Sequence, residues 1–106
     1  MSKETLGEFE QLVLLGCLRL GDEAYAGGVV DEIRTRTGRE VAHAAVYIAL
    51  RRMEEQELVS SRMGRPTAER GGRAKRFFEV LPEGRRLLDV SRTALLSMWE
   101  GVETAP

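Results

Sequence analysis

The sequence has one cysteine and one histidine among 106 residues, no long apolar run, and a formal charge of only −1. A single cysteine excludes an intramolecular disulfide and any zinc site built from paired thiolates. Cys17, set among Leu14, Leu15 and Leu18, reads as a small core residue. With His43 the only histidine, no Ser/His/Asp or Cys/His constellation can be assembled, and no metal-ligand spacing is present. There is no G-x-x-x-x-G-K-[ST] loop, and Gly71-Gly72 is too short to cradle a nucleotide. The expectation is therefore a protein with no catalytic residues, no metal and no cofactor. The apolar runs are too short to span a membrane and nothing at the start reads as a secretory signal, so a cytoplasmic location is expected. A near-neutral total does not by itself announce a nucleic-acid partner either.

What is present is unevenly distributed. Arg62, Arg65, Arg70, Arg73, Lys75 and Arg76 face only one acid, Glu69, so residues 62–76 carry five excess positive charges inside a near-neutral chain. A local field of one sign, richer in arginine than lysine, favours a phosphate-facing role over a merely solvated loop. The apolar fraction, 42%, suffices for one modest core.

Helical periodicity fills the first half. Thr5-Leu6-Gly7-Glu8 has the T-x-x-E form of a capping box, and Phe9, Leu12, Val13, Gly16 and Leu20 follow at helical spacing as far as Gly21-Asp22. Gly16 in mid-helix is read as allowing close approach of another helix. A second helix is expected from Ala26 to Thr37, with Val29, Val30 and Ile33 inward and Gly38 as its stop. The third spans about Ala42 to Gln56. In it Val46, Leu50 and Met53 share a core-facing side, while His43, Ala44, Tyr47, Ile48 and Arg51 project from another. Three short helices on short turns form the core of a helix-turn-helix domain.

The pattern then changes. Leu58–Met63 and Lys75–Leu81 read as two strands joined by a basic, glycine-rich loop, a hairpin that needs helices to pack upon. A hairpin directly after a third helix is a winged helix. Pro82 suits the first turn of a final helix, with Glu83 at its positive end. Leu88, Leu95 and Val102 recur every seven residues, Ser91 and Met98 likewise, with Leu87 and Ala94 flanking. So long an apolar stripe on the last element calls for a second copy of the chain, though part of it can pack back on the first helix. The fold class expected is mainly α with a small β-hairpin. Residues 1–81 form the winged helix-turn-helix domain, three helices plus a two-stranded wing; residues 82–106 form a C-terminal dimerisation helix and tail.

Two segments carry a resemblance. Val46-Tyr47-Ile48-Ala49-Leu50-Arg51-Arg52-Met53-Glu54-Glu55 is similar to a "YxxLRRLEE" signature, and Gly72-Arg73-Ala74-Lys75-Arg76-Phe77-Phe78-Glu79-Val80 with Glu83-Gly84 to "GRxKxYYxLTxEG". Together, in this order, they resemble the PadR family of bacterial transcriptional regulators, from about Leu6 to Glu100. Four positions depart from the pattern. Glu57 stands where a left-handed glycine usually closes the recognition helix, so it either accepts strain or ends the helix by another turn. Leu81 replaces a frequent threonine and forfeits a side-chain cap. Phe77-Phe78 replace two tyrosines.

The resemblance implies that the third helix enters the major groove and the wing touches the flanking backbone. The expected DNA contacts are His43, Ala44, Tyr47, Ile48, Arg51, Arg52, Arg65, Arg70, Arg73 and Lys75. His43 and Ala44 are nearest the bases, Ala44 against a thymine methyl; Tyr47 either offers its hydroxyl to a phosphate or packs at the core edge. Arg51 and Arg52 lie further along and address phosphate, Arg52 alternatively pairing with Glu55 or Gln56. Arg76 reads as a solvated residue of the strand. The expected dimer interface is Leu88, Ser91, Leu95, Met98, Trp99 and Val102. Met98 and Trp99 either fill that interface or line a cleft for a small aromatic effector. The function expected is a ligand-responsive repressor that binds a palindromic operator in double-stranded DNA as a homodimer, repression being a family habit. The alternative is a winged-helix protein-interaction adaptor without DNA binding, whose third helix would be acidic or apolar and whose wing would lack its arginines.

Overall fold

The structure is a computed structural model, and it describes residues 5–65 and 74–102. Four helices and one hairpin follow in the order α1 (Glu8–Leu20), a 3₁₀ turn (Gly21–Glu23), α2 (Ala26–Thr37), α3 (His43–Glu55), β1 (Val59–Met63), β2 (Arg76–Val80) and α4 (Pro82–Trp99). The expected class, mainly helical with a small antiparallel hairpin, is what the chain adopts.

Helix α1 begins two residues later than its T-x-x-E motif suggests. Leu6 is drawn into the core at 6% exposure, so the chain enters the helix at Gly7 rather than Thr5. Glu10, not Glu8, closes the first turn, accepting the Gly7 N–H at 2.8 Å. Val13, Leu14 and Cys17 turn inward. A Cβ on Gly16 would stand 3.0 Å from Val29 Cγ1, so the missing side chain does allow α2 to approach α1 closely. Helix α2 buries Val29 and Ile33 and leaves Val30 half-exposed. It ends at Gly38, left-handed at φ 76°, whose N–H donates to the Arg34 carbonyl.

Helix α3 stops by a double hydrogen bond. The Glu57 N–H donates to the Glu54 carbonyl at 3.0 Å and the Leu58 N–H to the Met53 carbonyl at 2.9 Å. This closure requires a left-handed residue, and Glu57 supplies it at φ 61°. Of the two outcomes open to a glutamate here, the chain takes the strained one. The reward is that Leu58 and Met53, fully buried, meet across the turn and aim the chain into β1.

The hairpin pairs antiparallel from Val59↔Val80 to Met63↔Arg76. The Phe78 N–H donates to the Ala24 carbonyl at 2.8 Å, which ties β2 to the segment before α2. At the other end the Leu81 N–H donates to the Leu58 carbonyl, and Gly84 lies against that same carbonyl with no room for a Cβ. The core gathers Val13, Leu14, Val29, Val46, Leu50, Met53, Leu58 and Val59 with Phe78 and Leu87, and no charged or polar residue is buried among the described residues.

Helix α4 starts without a side-chain cap at Leu81, with Pro82 in its first turn. Gly84, Leu87 and Leu88 belong to the core. Leu88 is thus covered by its own chain, at 6% exposure, which corrects its expected place in an intermolecular surface. Beyond Val90 the helix leaves the fold: Leu95, Leu96, Met98 and Trp99 are each more than half exposed.

Candidate nucleic-acid interface

Helical geometry sets the site. At about 100° per residue, Val46, Leu50 and Met53 fall on one side of α3, and all three are 0% exposed. On the crest directly opposite stand Ile48, 55% exposed, and two turns later Glu55, also exposed. Ala44 and Arg51 flank the crest on one side, Ala45 and Arg52 on the other, and all four are exposed. His43 and Tyr47 sit lower, on the flank turned toward α2 and the hairpin. His43 is exposed, while Tyr47 is half-buried. Ala45 was absent from the expected set although the spacing places it beside Ile48.

Tyr47 packs at the core edge with its ring and turns its hydroxyl to Arg51. Its ring meets Phe78 edge-on, with centroids 6.2 Å apart, bracing α3 against β2. Its hydroxyl accepts from Arg51 Nη1 at 3.1 Å. The Arg51 hydrogen bond is the main cause of a Tyr47 pKa below the usual phenol value, burial opposing it and Arg76 assisting. Arg51 in turn is held in its charged form by that hydroxyl, with Glu54 and Glu55 adding to the effect. Its Nε also stands 3.2 Å from Glu54 Oε1. Arg51 is therefore oriented before any ligand arrives. The Arg52 guanidinium has no ion-pair or hydrogen-bond partner among the described residues, so the side-chain pairing with Glu55 or Gln56 does not form; only the Arg52 carbonyl accepts, from the Gln56 N–H.

A polar chain missed in the sequence links the helix to the wing. Ser61 on β1 donates to Glu54 Oε2 at 2.6 Å, and Arg76 on β2 donates through Nη1 to Ser61 Oγ at 2.9 Å. Arg76 is half-buried, a correction to its reading as a solvated strand residue. Nothing in residue spacing announces this chain, because its members meet only through the β1–β2 register and the angle of α3 against it.

On the hairpin's other edge Lys75 Nζ lies 4.2 Å from the centroid of Tyr25, which meets Phe77 edge-on at 6.1 Å. Arg62 covers Phe77 at 4.9 Å and donates to the Asp22 carbonyl. These stacks hold the wing's base against the start of α2. Arg65 and Lys75 are exposed; Arg70 and Arg73 lie outside the described residues. No described helix is long and apolar enough to cross a membrane, and no three described His, Cys, Asp or Glu side chains form a metal-sized cluster.

The model of the transcriptional regulator PadR-like family matches residues 14–90, which hold the second half of α1, α2, α3, the hairpin and the first half of α4. The chain belongs to the PadR-like family. It is a transcriptional regulator by that membership, and the family is one of regulators rather than enzymes. Among solved structures it is similar to a PadR family regulator from Eggerthella lenta, at TM-score 0.69 and 23% identity over 92% of this chain and 88% of that one. A PadR family regulator from hypervirulent Clostridium difficile aligns at TM-score 0.66 and 22% identity over 92% of each chain. Part of the Aeropyrum pernix ORC1 protein, solved in complex with DNA, aligns at TM-score 0.58 and 22% identity over 71% of this chain and 21% of that one. No curated protein matches the chain. These likenesses establish the PadR winged-helix fold. The departures from the PadR pattern resolve structurally: Glu57 takes the glycine's left-handed turn, Leu81 leaves α4 uncapped by a side chain, and Phe78 is a buried core residue.

Proposed function

We propose that this PadR-like protein binds a palindromic operator in double-stranded DNA as a homodimer and represses transcription by occupying it. The observation that carries the reading is α3 itself. Its buried side is wholly apolar, while Ala44, Ile48, Arg51 and Arg52 stand on the opposite side beside a wing that presents Arg65 and Lys75. A helix so mounted fits a major groove, with the wing's cations against flanking phosphates. Arg70 and Arg73 would add to that contact. His43 at the helix start and Tyr47 on its flank would set the depth of entry.

Dimerisation is supported by the apolar residues left outside the core. Leu95, Met98, Trp99 and Val102 on and after α4, with Ser91 at the base of the stripe and Leu96 beside it, continue toward Leu15 and Leu18 of α1. A groove of about 270 Å³ between α1 and α4, lined by Leu15, Leu18, Leu95 and the nearly buried Leu88 together with Gln11, Arg85, Asp89 and Arg92, gives a second copy a place to insert. A small aromatic effector bound beside Met98 and Trp99 at such a junction would shift the spacing of the two recognition helices.

The test is binding of a selected duplex as salt is varied. Affinity should fall steeply with salt, and Arg52→Ala should make the log–log slope shallower by at most about one unit. A salt-insensitive complex, or no binding to any duplex at low salt, would leave the adaptor alternative, for which the acidic end of α3 at Glu54, Glu55 and Glu57 is the feature in favour. Because the chain has one tryptophan, quenching of Trp99 by a panel of flat aromatic compounds reads the effector directly; no quenching by any of them removes that part of the proposal.

A further inference from the structure

Resting on the DNA-binding reading above, the geometry of α3 points to what is read, and we propose that Ile48, with Ala44 beside it, recognises the C5-methyl groups of thymine. In the first two turns of α3, the side chain standing opposite the core-facing side is neither an arginine nor an amide but an isoleucine, 55% exposed, and the acid on the same line, Glu55, lies two turns further on. The neighbours of Ile48 in the first two turns of the crest are Ala44 and Ala45, both exposed. None of the three can donate to or accept from a base edge. Among the groups that a base pair shows in the major groove, the thymine methyl is the one an apolar side chain matches. Ile48 suits that task because its branched β-carbon restricts χ1, so the methyls are presented at a fixed position.

The polar residues nearby have other work. Arg51 is held by Tyr47 and Glu54, at 3.1 and 3.2 Å. Arg52 lies one turn further along and its guanidinium has no partner among the described residues, as a phosphate-binding cation would. His43 stands to the side, near the Tyr25 and Gly27 start of α2. An apolar crest between cations yields a division in which arginines fix the register and methyl contacts choose the sequence.

The experiment begins with selection of bound duplexes from a random pool, then replaces each thymine of the half-site singly by deoxyuridine, which lacks only the C5-methyl. One or two thymines per half-site should lose roughly fourfold in affinity, the value of one buried methyl. With Ile48→Ala the penalty at those positions should vanish, and with Ile48→Val most of it should remain. Circular dichroism checks that both variants keep their helices, which an exposed position predicts. Equal affinity for thymine and deoxyuridine throughout, or a penalty unchanged by Ile48→Ala, overturns this inference while leaving DNA binding standing. Failure of the unaltered protein to bind any duplex overturns the DNA-binding reading and this inference with it.

Discussion

Two residues show how local chemistry and tertiary demand meet in this chain. Glu57 holds a left-handed conformation at φ 61° to close α3, although its side chain gains nothing that glycine would lack. A non-glycine residue there costs about 1–2 kcal/mol, partly offset by glycine's greater freedom when unfolded. Glu57→Gly should therefore stabilise the fold by about 0.5–1 kcal/mol and raise the melting temperature by a few degrees, with DNA affinity unchanged. Gly84 is the converse. Any Cβ there would overlap the Leu58 carbonyl, which already accepts the Leu81 N–H. Gly84→Ala should cost about 1–3 kcal/mol in chemical denaturation, more than an alanine gains as a helix former. The strain at Glu57 was legible as a choice of two outcomes, because helix C-termini have few solutions. The constraint at Gly84 was not, since the obstructing atom lies 26 residues earlier in the chain.

At the level of elements, the helices and strands follow from periodicity and stop signals, with errors confined to ends and partners. Bounds of α2 were legible because Gly38 and the Val29–Ile33 repeat are unambiguous; the start of α1 was not, because burial of Leu6 overrode a good capping motif. The start of α4 offers a pH test. Lacking a side-chain cap, it holds Glu83 in a two-pronged pair with Arg86, at 2.8 and 2.7 Å. The Arg86 hydrogen bond is the main cause of a Glu83 pKa below the ordinary 4.5. A depressed carboxyl stabilises the fold fully above its unfolded value and loses that contribution as pH falls through the folded one. The melting-temperature advantage of the wild type over Glu83→Gln should accordingly be constant from neutral pH down to about pH 5 and shrink below 4.5. An advantage independent of pH would assign the effect to shape rather than charge. Being exposed, the pair should shift melting only slightly.

For the molecule as a whole, the central question is what covers the far half of α4. Its apolar residues are exposed in a single chain, and sedimentation should show a dimer. Leu95→Glu with Met98→Glu should yield a folded monomer whose DNA affinity falls by at least an order of magnitude, since each half-site then binds alone. A double variant that stays dimeric would move the interface elsewhere. The sequence by itself determined the element order, the apolar side of α3, the basic wing and the family, because these depend on spacing along one chain and on residue type. Tertiary structure alone decided which exposed residues remain available. It placed Leu88 in the core, bound Arg51 to Tyr47 and Glu54, and drew Arg76 into a chain through Ser61. Those outcomes depend on the angle at which α3 lies on the hairpin and on where α4 leaves the core, and such distances are set by packing between segments far apart in sequence.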